Sequence, residues 1–253
     1  MDLISADWPA PNGIHTLVTL RTNGSSVGAY SSLNLGDHVG DDFNAVLLNR
    51  QALQAVLPSA PIWMRQIHGT SVSNTLSRLE GSTQLPEADA AITDRPSEVL
   101  AVLTADCMPV FFCSDDGKHV GIAHAGWRGL CAGILQNTLD ALVKQSGGLP
   151  QSAFMAWLGP AIGPNHFEVG EDVIEAFANH GFPIGSDSFI PIPSRPNKYL
   201  GNLALLAHQT LQNAGIERIY GGDLCTYSDP KRFFSHRRDG VSGRFASLIW
   251  IQS

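Results

Sequence analysis

The stretch TADCMPVFFCSDDGKHVGIAHAGWRG, residues 104–129, decides the fold of this chain. Two apolar, β-prone runs at 110–113 and 120–124 flank an Asp-Asp-Gly turn, and this pattern predicts a β-hairpin. Such a hairpin would bring Cys107, which precedes the first run, beside His124, which ends the second. The sequence therefore predicts a thiol and an imidazole at one rim of a sheet.

The composition is that of an ordinary globular protein. The chain has 253 residues, of which 43% are hydrophobic and 15% charged, so it can bury a sizeable core without disulfides. The net charge of −7 and the absence of a basic run argue against a nucleic-acid partner. Neither a signal peptide nor an apolar stretch of membrane-spanning length is visible. We therefore expect a cytoplasmic protein with no membrane partner.

Elsewhere, short apolar runs alternate with amphipathic segments. The runs predict strands at 15–20, 62–67, 99–104, 154–158 and 245–251, and an extended piece that begins at residue 88. The amphipathic segments predict helices at 43–57, 131–146, 171–178 and 201–214. Residues 78–89 are predicted to be a loop. No internal repeat or linker is visible, so we predict one mixed α/β or α+β domain over residues 1–253.

Three side chains at predicted strand ends can ligate a metal. Cys107 and His68 each lie just past a strand, and His124 ends one. Zinc binds thiolate and imidazole, and a catalytic zinc site keeps three protein ligands and one open position. A Cys-His-His zinc triad is therefore one hypothesis. A catalytic dyad is the other, with Cys107 as nucleophile and His124 as base. Cys113 and Cys131 are predicted to be small buried hydrophobes.

Arginines near these strand ends are candidates for binding an anionic substrate. Arg128 lies between two glycines ahead of the 131–146 helix, where backbone N–H groups also favour an anion. Arg237 and Arg238 are adjacent and suit bidentate contacts to phosphate or carboxylate, and Arg65 precedes His68 by three residues.

Carboxylates complete the set of candidate residues, because one of them could orient a ligand histidine or move a proton. The candidates are Asp89, Asp106, Glu168 and Asp223.

Several motifs resemble the bacterial YfiH-type family, whose members are named variously polyphenol oxidase, laccase-like protein, purine nucleoside phosphorylase and peptidoglycan editing factor. The resemblance runs from about Trp8 to Trp250. The motifs that carry it are Gln66-Ile-His-Gly69, Thr104-Ala-Asp-Cys-Met-Pro109, His124-Ala-Gly-Trp-Arg-Gly129, Leu158-Gly-Pro-Ala-Ile-Gly-Pro164, Phe167-Glu-Val-Gly170 and Phe233-Phe-Ser-His-Arg-Arg-Asp239.

The resemblance implies an α+β fold in which mixed β-sheets pack together with helices on the outside. It implies a metal, usually zinc, at His68, Cys107 and His124. It also implies phosphorolysis of adenosine, inosine, guanosine and S-methyl-5′-thioadenosine, with adenosine deamination as a second activity. The chain departs from the family at His236, where Tyr is more common, and this affects the local substrate contacts.

The competing functions make different demands on the residues. A multicopper oxidase needs several His-x-His pairs, which this chain lacks, although copper could replace zinc in the triad. Phosphorolysis fits the candidates better, with Arg128, Arg237 and Arg238 holding phosphate and Asp106 or Asp89 moving a proton. A cysteine hydrolase that edits peptidoglycan precursors, using Cys107, and a metal-bearing binding module without turnover are the alternatives.

Overall fold

The computed structural model describes residues 1–75, 85–182 and 187–252. The strands are β1 Leu3–Ile4, β2 Ile14–Thr19, β3 Val72–Ser73, β4 Ala90–Thr93, β5 Leu100–Thr104, β6 Met108–Ser114, β7 Val120–Ala125, β8 Phe154–Leu158, β9 Glu168–Gly170, β10 Phe189–Pro191, β11 Lys198–Gly201, β12 Arg218–Gly221 and β13 Phe245–Ile251. The α-helices are α1 Phe43–Gln54, α2 Trp127–Ala132, α3 Ile134–Gln145, α4 Glu171–Asn179, α5 Leu203–Asn213 and α6 His236–Asp239.

The described strands form three sheets. A six-stranded sheet has the order β12-β8-β6-β7-β4-β3, in which β3–β4 and β12–β8 are parallel and the other pairs antiparallel. A four-stranded antiparallel sheet has the order β1-β2-β13-β5, and a smaller antiparallel one the order β10-β11-β9. Within the largest sheet, β6 and β7 pair as a hairpin in which Pro109 lies opposite His124, which confirms the predicted hairpin.

The central strands of the two larger sheets, β5, β6, β7, β8 and β13, are buried at every position because both of their faces are covered. Successive side chains of a strand point to opposite faces. In β6, Val110 and Phe112 pack toward the helices, whereas Phe111 and Cys113 pack toward the four-stranded sheet. Leu53 of α1 packs on the outer face of that second sheet. The layers are therefore helix, sheet, sheet and helix, which confirms the α+β class with packed mixed sheets and outer helices.

The strand predicted at 62–67 is wrong. This segment makes only two isolated bridges instead of a ladder. The side chain of Gln66 replaces the backbone pairing of a strand. Its amide donates to the carbonyl of Leu103 at 2.9 Å and accepts from the N–H of Leu103 at 2.8 Å. Because a side-chain amide satisfies the edge of β5, the backbone of this segment is free to turn toward the site described below.

The helix predicted at 131–146 is two helices, and the first begins earlier than predicted. The N-cap of α2 is Gly126, so Arg128 lies in the first turn of a helix and not ahead of one. Gly133 separates α2 from α3 with a left-handed φ of 103°, a conformation that glycine adopts without strain. The bend directs α3 across the six-stranded sheet, and its buried leucines join the core there.

Two further predictions concern the loop at 78–89 and the membrane. Residues 78–84 of that loop lie outside the described residues, and 85–89 contain one isolated bridge at Glu87 and no strand. In the described parts of the chain, no helix is long and apolar enough to cross a membrane.

Candidate metal centre and cleft

The open end of the β6–β7 hairpin brings together the three side chains that the sequence singles out. Cys107 directly precedes β6, and His124 lies near the end of β7. One ligand atom from each of His68, Cys107 and His124 lies within 4.8 Å of the other two. Cys107 Sγ is 3.8 Å from His68 Nε2, and the two imidazole rings meet edge to face with centroids 4.8 Å apart.

Asp89 positions both histidines with a single carboxylate. One oxygen accepts from His124 Nδ1 at 2.8 Å and from the N–H of His68 at 3.0 Å. The other accepts from the N–H groups of Ile67 and Gly69 at 3.2 and 2.7 Å. The bond at His124 Nδ1 leaves Nε2 as the free ligand atom, which is the usual arrangement behind a metal-bound histidine. Asp89 is fully buried, and its hydrogen bonds hold His124 and the backbone of His68 in place.

The backbone around the three ligands adopts conformations that non-glycine residues seldom take. His68 has a φ of 61° and Asp106, next to Cys107, has a φ of 94°. Gly126 permits the close approach: a Cβ there would lie 2.9 Å from Cys107 Sγ and 3.0 Å from His68 Cδ2. Strained residues of this kind cluster at functional sites because the surrounding contacts hold them in place.

The thiol of Cys107 and the imidazole of His124 change one another's ionisation. Burial opposes the charge on Cys107, but His124 and His68 outweigh it and lower the pKa of the thiol to about 6. Burial also opposes the charge on His124, but Cys107 and Asp89 outweigh it and raise its pKa to about 9. The pair therefore favours a thiolate beside an imidazolium near neutral pH, and the thiolate is the form that ligates metals.

The donor set fits a zinc or copper ion. Two imidazole nitrogens and one thiolate sulfur are ligands that both metals accept, and three protein ligands are typical of a catalytic zinc site. Within residues 1–75, 85–182 and 187–252, this is the one cluster of three or more His, Cys, Asp or Glu side chains with the spacing of a metal site. A site for several metal ions is therefore not visible in these parts of the chain.

Two of the three side chains, His68 and Cys107, line a cleft with a cavity of about 190 Å³, whereas His124 is buried. Its polar lining comprises His68, Asp106, Cys107, Arg128, His236 and Arg237. Its apolar lining comprises Ala105, Trp127, Ile162, Phe167 and Leu203. Arg237 also lines a second cavity of about 530 Å³, together with Asn165, His166 and Tyr227.

Two of the predicted arginines reach this cleft. Arg128 lies at the rim with its guanidinium over the ring of Trp127, at 4.4 Å from the ring centroid. Arg237 also lines the cleft, and its guanidinium donates to the carbonyl of Glu168 at 2.7 Å and lies 5.7 Å from the ring centroid of Phe167. Both contacts leave further N–H groups of each guanidinium for an anion.

Asp106 lines the same cleft, but both of its carboxylate oxygens are engaged. One accepts from the hydroxyl of Thr226 at 2.7 Å, and the other from the N–H of Arg237 at 2.6 Å. These bonds tie the loop that carries Cys107 to the start of α6. The structure therefore favours a positioning role for Asp106 over the proton transfer that the sequence suggested.

The other candidate residues lie apart from the three ligands. Arg65 pairs with Glu87 at the surface and does not line the cavity. Arg238 is held by the carbonyls of Thr226, Tyr227 and Phe233 and by the carboxylate of Asp239, so it stabilises the loop beneath α6. Glu168 pairs with Arg195 at 2.5 Å, and Asp223 is exposed beside a separate cavity.

Sequence reasoning missed the apolar wall and the role of Thr226. Ile162 and Phe167 lie in the loop between β8 and β9, whereas Leu203 begins α5, and each looks like an ordinary core residue in sequence. Thr226 is 120 residues away from its partner Asp106. No local signal connects Thr226 with Asp106, and the motifs that contain Ile162 and Phe167 do not indicate an apolar wall.

Known proteins match this chain along nearly its whole length. Residues 15–252 match the family described as multi-copper polyphenol oxidoreductase laccase. The chain is 43% identical over 251 residues to the purine nucleoside phosphorylase YfiH of Escherichia coli K12, covering 98% of each protein. It is 44% identical over 254 residues to a purine nucleoside phosphorylase of Haemophilus influenzae, covering 100% of each.

Solved structures share the fold. A Neisseria meningitidis protein of the family DUF152 matches with a TM-score of 0.90 and 45% identity over 100% of both chains. YlmD from Geobacillus stearothermophilus matches with a TM-score of 0.91 and 29% identity, over 100% of this chain and 97% of its own.

Proposed function

The chain belongs to the family described as multi-copper polyphenol oxidoreductase laccase, and within that family we propose that it is a metal-dependent purine nucleoside phosphorylase. Its substrates would be phosphate and adenosine, inosine, guanosine or S-methyl-5′-thioadenosine, with adenosine deamination as a second activity in the same cleft. The names of the relatives with 43% and 44% identity support this class. The observation that carries it is a cleft with a His-Cys-His cluster, two arginines and an apolar wall.

The apolar wall and the arginines suit the two halves of this reaction. Ile162, Phe167 and Leu203 offer a surface on which a purine can lose water. Arg128 and Arg237 face that space with guanidinium groups, which bind phosphate in a bidentate manner. Holding phosphate and nucleoside in one cleft replaces a bimolecular encounter by an oriented one, which removes a large part of the entropic barrier.

His68, Cys107 and His124 would hold the metal, zinc in our proposal and copper as the alternative. A zinc ion held by these residues would supply Lewis acidity to the cleft. Asp89 keeps His124 in the tautomer that ligates through Nε2. Gly126 keeps Cys107 and His68 close enough to share one ion.

A multicopper oxidase is a poorer fit, although the family's description contains that term. A blue-copper site and a trinuclear cluster need many more histidines than one Cys-His-His cluster provides. The described residues offer one such cluster. Oxidation of phenols by a single copper ion in the zinc position would be a side activity.

One observation favours a second function, that of a cysteine hydrolase acting on peptidoglycan precursors. The pKa of Cys107 is lowered to about 6 against the effect of burial, chiefly by His124, which is the pairing that a cysteine nucleophile and its base require. Activity that survives exhaustive chelation and is lost to a thiol alkylator would favour this function.

The deciding experiment is mass-resolved product analysis of adenosine, with and without phosphate, using protein of measured metal content. Adenine and ribose 1-phosphate formed only with phosphate are the expected products, and inosine formed without phosphate would report the deaminase. Absence of all three products would contradict the proposal. Cys107→Ala should lose both metal and turnover, and a variant with full zinc content and full phosphorolysis would contradict the metal site.

A further inference from the structure

The proposed reaction needs a proton donor, and the cleft contains few candidates. When the bond from ribose C1′ to the purine breaks, the base carries away an electron pair, and protonation at N7 makes it a better leaving group. A positioned acid contributes typically about 10²–10⁴-fold to such a step. The polar lining of the cavity comprises His68, Asp106, Cys107, Arg128, His236 and Arg237.

Most of these side chains already have another task. His68 and Cys107 are metal ligands in the proposed site. Asp106 accepts from the hydroxyl of Thr226 with one carboxylate oxygen and from the N–H of Arg237 with the other, so both oxygens are engaged. The guanidinium groups of Arg128 and Arg237 do not give up a proton in proteins. One side chain of the lining therefore stays available for acid–base chemistry.

We propose that His236 is the acid that protonates the departing purine base, an inference that rests on the proposed phosphorolysis. His236 lines the cavity and is exposed to it. Within the described parts of the chain, its ring makes no hydrogen bond, ion pair or ring contact that would hold the imidazole in another role. Histidine gives and takes protons near neutral pH, which suits this step.

The backbone of His236 is anchored to the loop that carries Cys107. The next residue, Arg237, donates its N–H to Asp106 at 2.6 Å, and Asp106 directly precedes Cys107. The preceding residue, Ser235, caps α6 by accepting from the N–H of Arg238 at 3.2 Å. The backbone of His236 is therefore fixed by its neighbours on both sides. Its Cα keeps a set position relative to Cys107, and only the side chain is left to rotate.

The step balances with the groups present. A phosphate oxygen forms a bond to C1′ while the bond from C1′ to N9 breaks, and its electron pair passes into the purine ring. The proton on the ring nitrogen of His236 moves to N7, so that a neutral base leaves and ribose 1-phosphate remains. Neutral His236 then regains a proton from water.

The test compares two nucleosides that differ in their need for an acid. Inosine requires protonation of its base, whereas 7-methylguanosine already carries the positive charge at N7. His236→Gln should lower kcat/KM for inosine about 100-fold and that for 7-methylguanosine less than about threefold. His236→Tyr should retain more inosine activity than His236→Phe, because the two variants differ only in a hydroxyl that can donate a proton.

Zinc content and thermal melting of each variant separate this role from a structural one, and His38→Gln, at an exposed histidine outside the cavity, is the matched control. Equal losses for both nucleosides, or no loss for either, would overturn the assignment of His236. A wild-type protein that releases no base from either nucleoside would contradict the proposed function itself, so the two failures are distinguishable.

Discussion

The two ends of the β6–β7 hairpin carry the same type of side chain in opposite chemical states. At the open end, neighbouring histidines lower the pKa of Cys107 to about 6 against the effect of burial. Toward the turn, burial and the nearby Asp115 raise the pKa of Cys113 to about 12. Cys107 and Cys113 are only six positions apart in sequence, yet one is a thiolate in a cleft and the other an inert thiol between two sheets.

The pKa values of Cys107 and Cys113 differ because different residues surround the two ends of the hairpin. Cys113 packs with Phe111 and Ile122 in the apolar cluster between the two larger sheets. At the open end the chain leaves the sheet, and loops bring His68 and Asp89 against Cys107 and His124. The sheet supplies a rigid frame to both ends, but only the end where loops converge acquires polar chemistry.

The largest expected effect is a contrast in alkylation of the two cysteines. In metal-free protein, pH 7 lies above the lowered pKa of Cys107, so this thiol is mostly thiolate. The same pH lies far below the raised pKa of Cys113, so that thiol stays protonated. Iodoacetamide should modify Cys107 at least about 10³-fold faster than Cys113, as measured by peptide mass spectrometry. A Cys225→Ser background is needed because Cys225 is also half-exposed.

Two further measurements of the alkylation rate complete this test. The rate at Cys107 should fall as the pH drops below about 6, and added zinc should protect it. Equal rates at the two cysteines, or a rate at Cys107 that keeps rising beyond pH 8, would show that the two ends do not differ as described.

The second largest effect is expected at Asp89, the buried carboxylate that contacts His68 and His124 at the open end of the hairpin. Asp89→Asn leaves only one acceptor oxygen for His124 Nδ1 and three backbone N–H groups. Zinc affinity should fall about 10–100-fold, and the free energy of unfolding should fall by about 3 kcal/mol. Zinc titration and urea unfolding measure the two quantities. Asp223→Asn, at an exposed carboxylate, should change neither, and an unaltered Asp89→Asn protein would refute the orienting role.

A smaller effect is expected at the contact between Cys107 and His68. Gly126→Ala is compatible with the local φ of −67°, so only its new Cβ matters. That atom would lie 2.9 Å from Cys107 Sγ and 3.0 Å from His68 Cδ2 and would push the ligands apart. We expect zinc affinity to fall about tenfold with the fold retained. Competition with a chromophoric chelator measures this, and wild-type affinity would mean that the ligands tolerate a wider spacing.

The smallest effect is expected at the exposed rim. Arg128→Gln removes one guanidinium from the cleft and should raise the KM for phosphate about three- to tenfold, with zinc content unchanged. Arg65→Gln is the matched control, because Arg65 pairs with Glu87 at the surface. Steady-state kinetics with varied phosphate distinguishes them, and equal behaviour of the two variants would remove Arg128 from the phosphate site.

The parts of the fold that the sequence predicts well are the strands buried on both faces. The predicted bounds of β13, 245–251, match the structure to the residue, and the hairpin strands match within two residues at each end. Residues 62–67 fail because Gln66 bonds to β5 through its side chain, and a pattern of apolar residues contains no information on that bond. Gly133 breaks a helix whose apolar periodicity continues on both sides.

The candidate site divides in the same way. Cys107 and His124 were singled out because they lie at the ends of buried strands, which is a local property. His68 was singled out from a strand at 62–67 that the structure lacks, yet it lies beside the other two. The partners of the arginines were not, because Arg238 bonds to carbonyls of its own loop and Arg65 to a glutamate 22 residues away. Which arginines hold phosphate therefore stays a proposal after the structure, although the cleft now narrows the choice to Arg128 and Arg237.

By itself, the sequence determined the hairpin, the buried strands and the identity of the residues at their open end. Hydrophobic periodicity is read over a few neighbouring residues, so those features need no knowledge of the rest of the chain. Only the tertiary structure decided what surrounds Cys107: the carboxylate behind His124, the bonds from Asp106 to Thr226 and Arg237, and the free ring of His236. Those contacts join segments up to 131 residues apart, and only the packing of the two sheets brings such segments together.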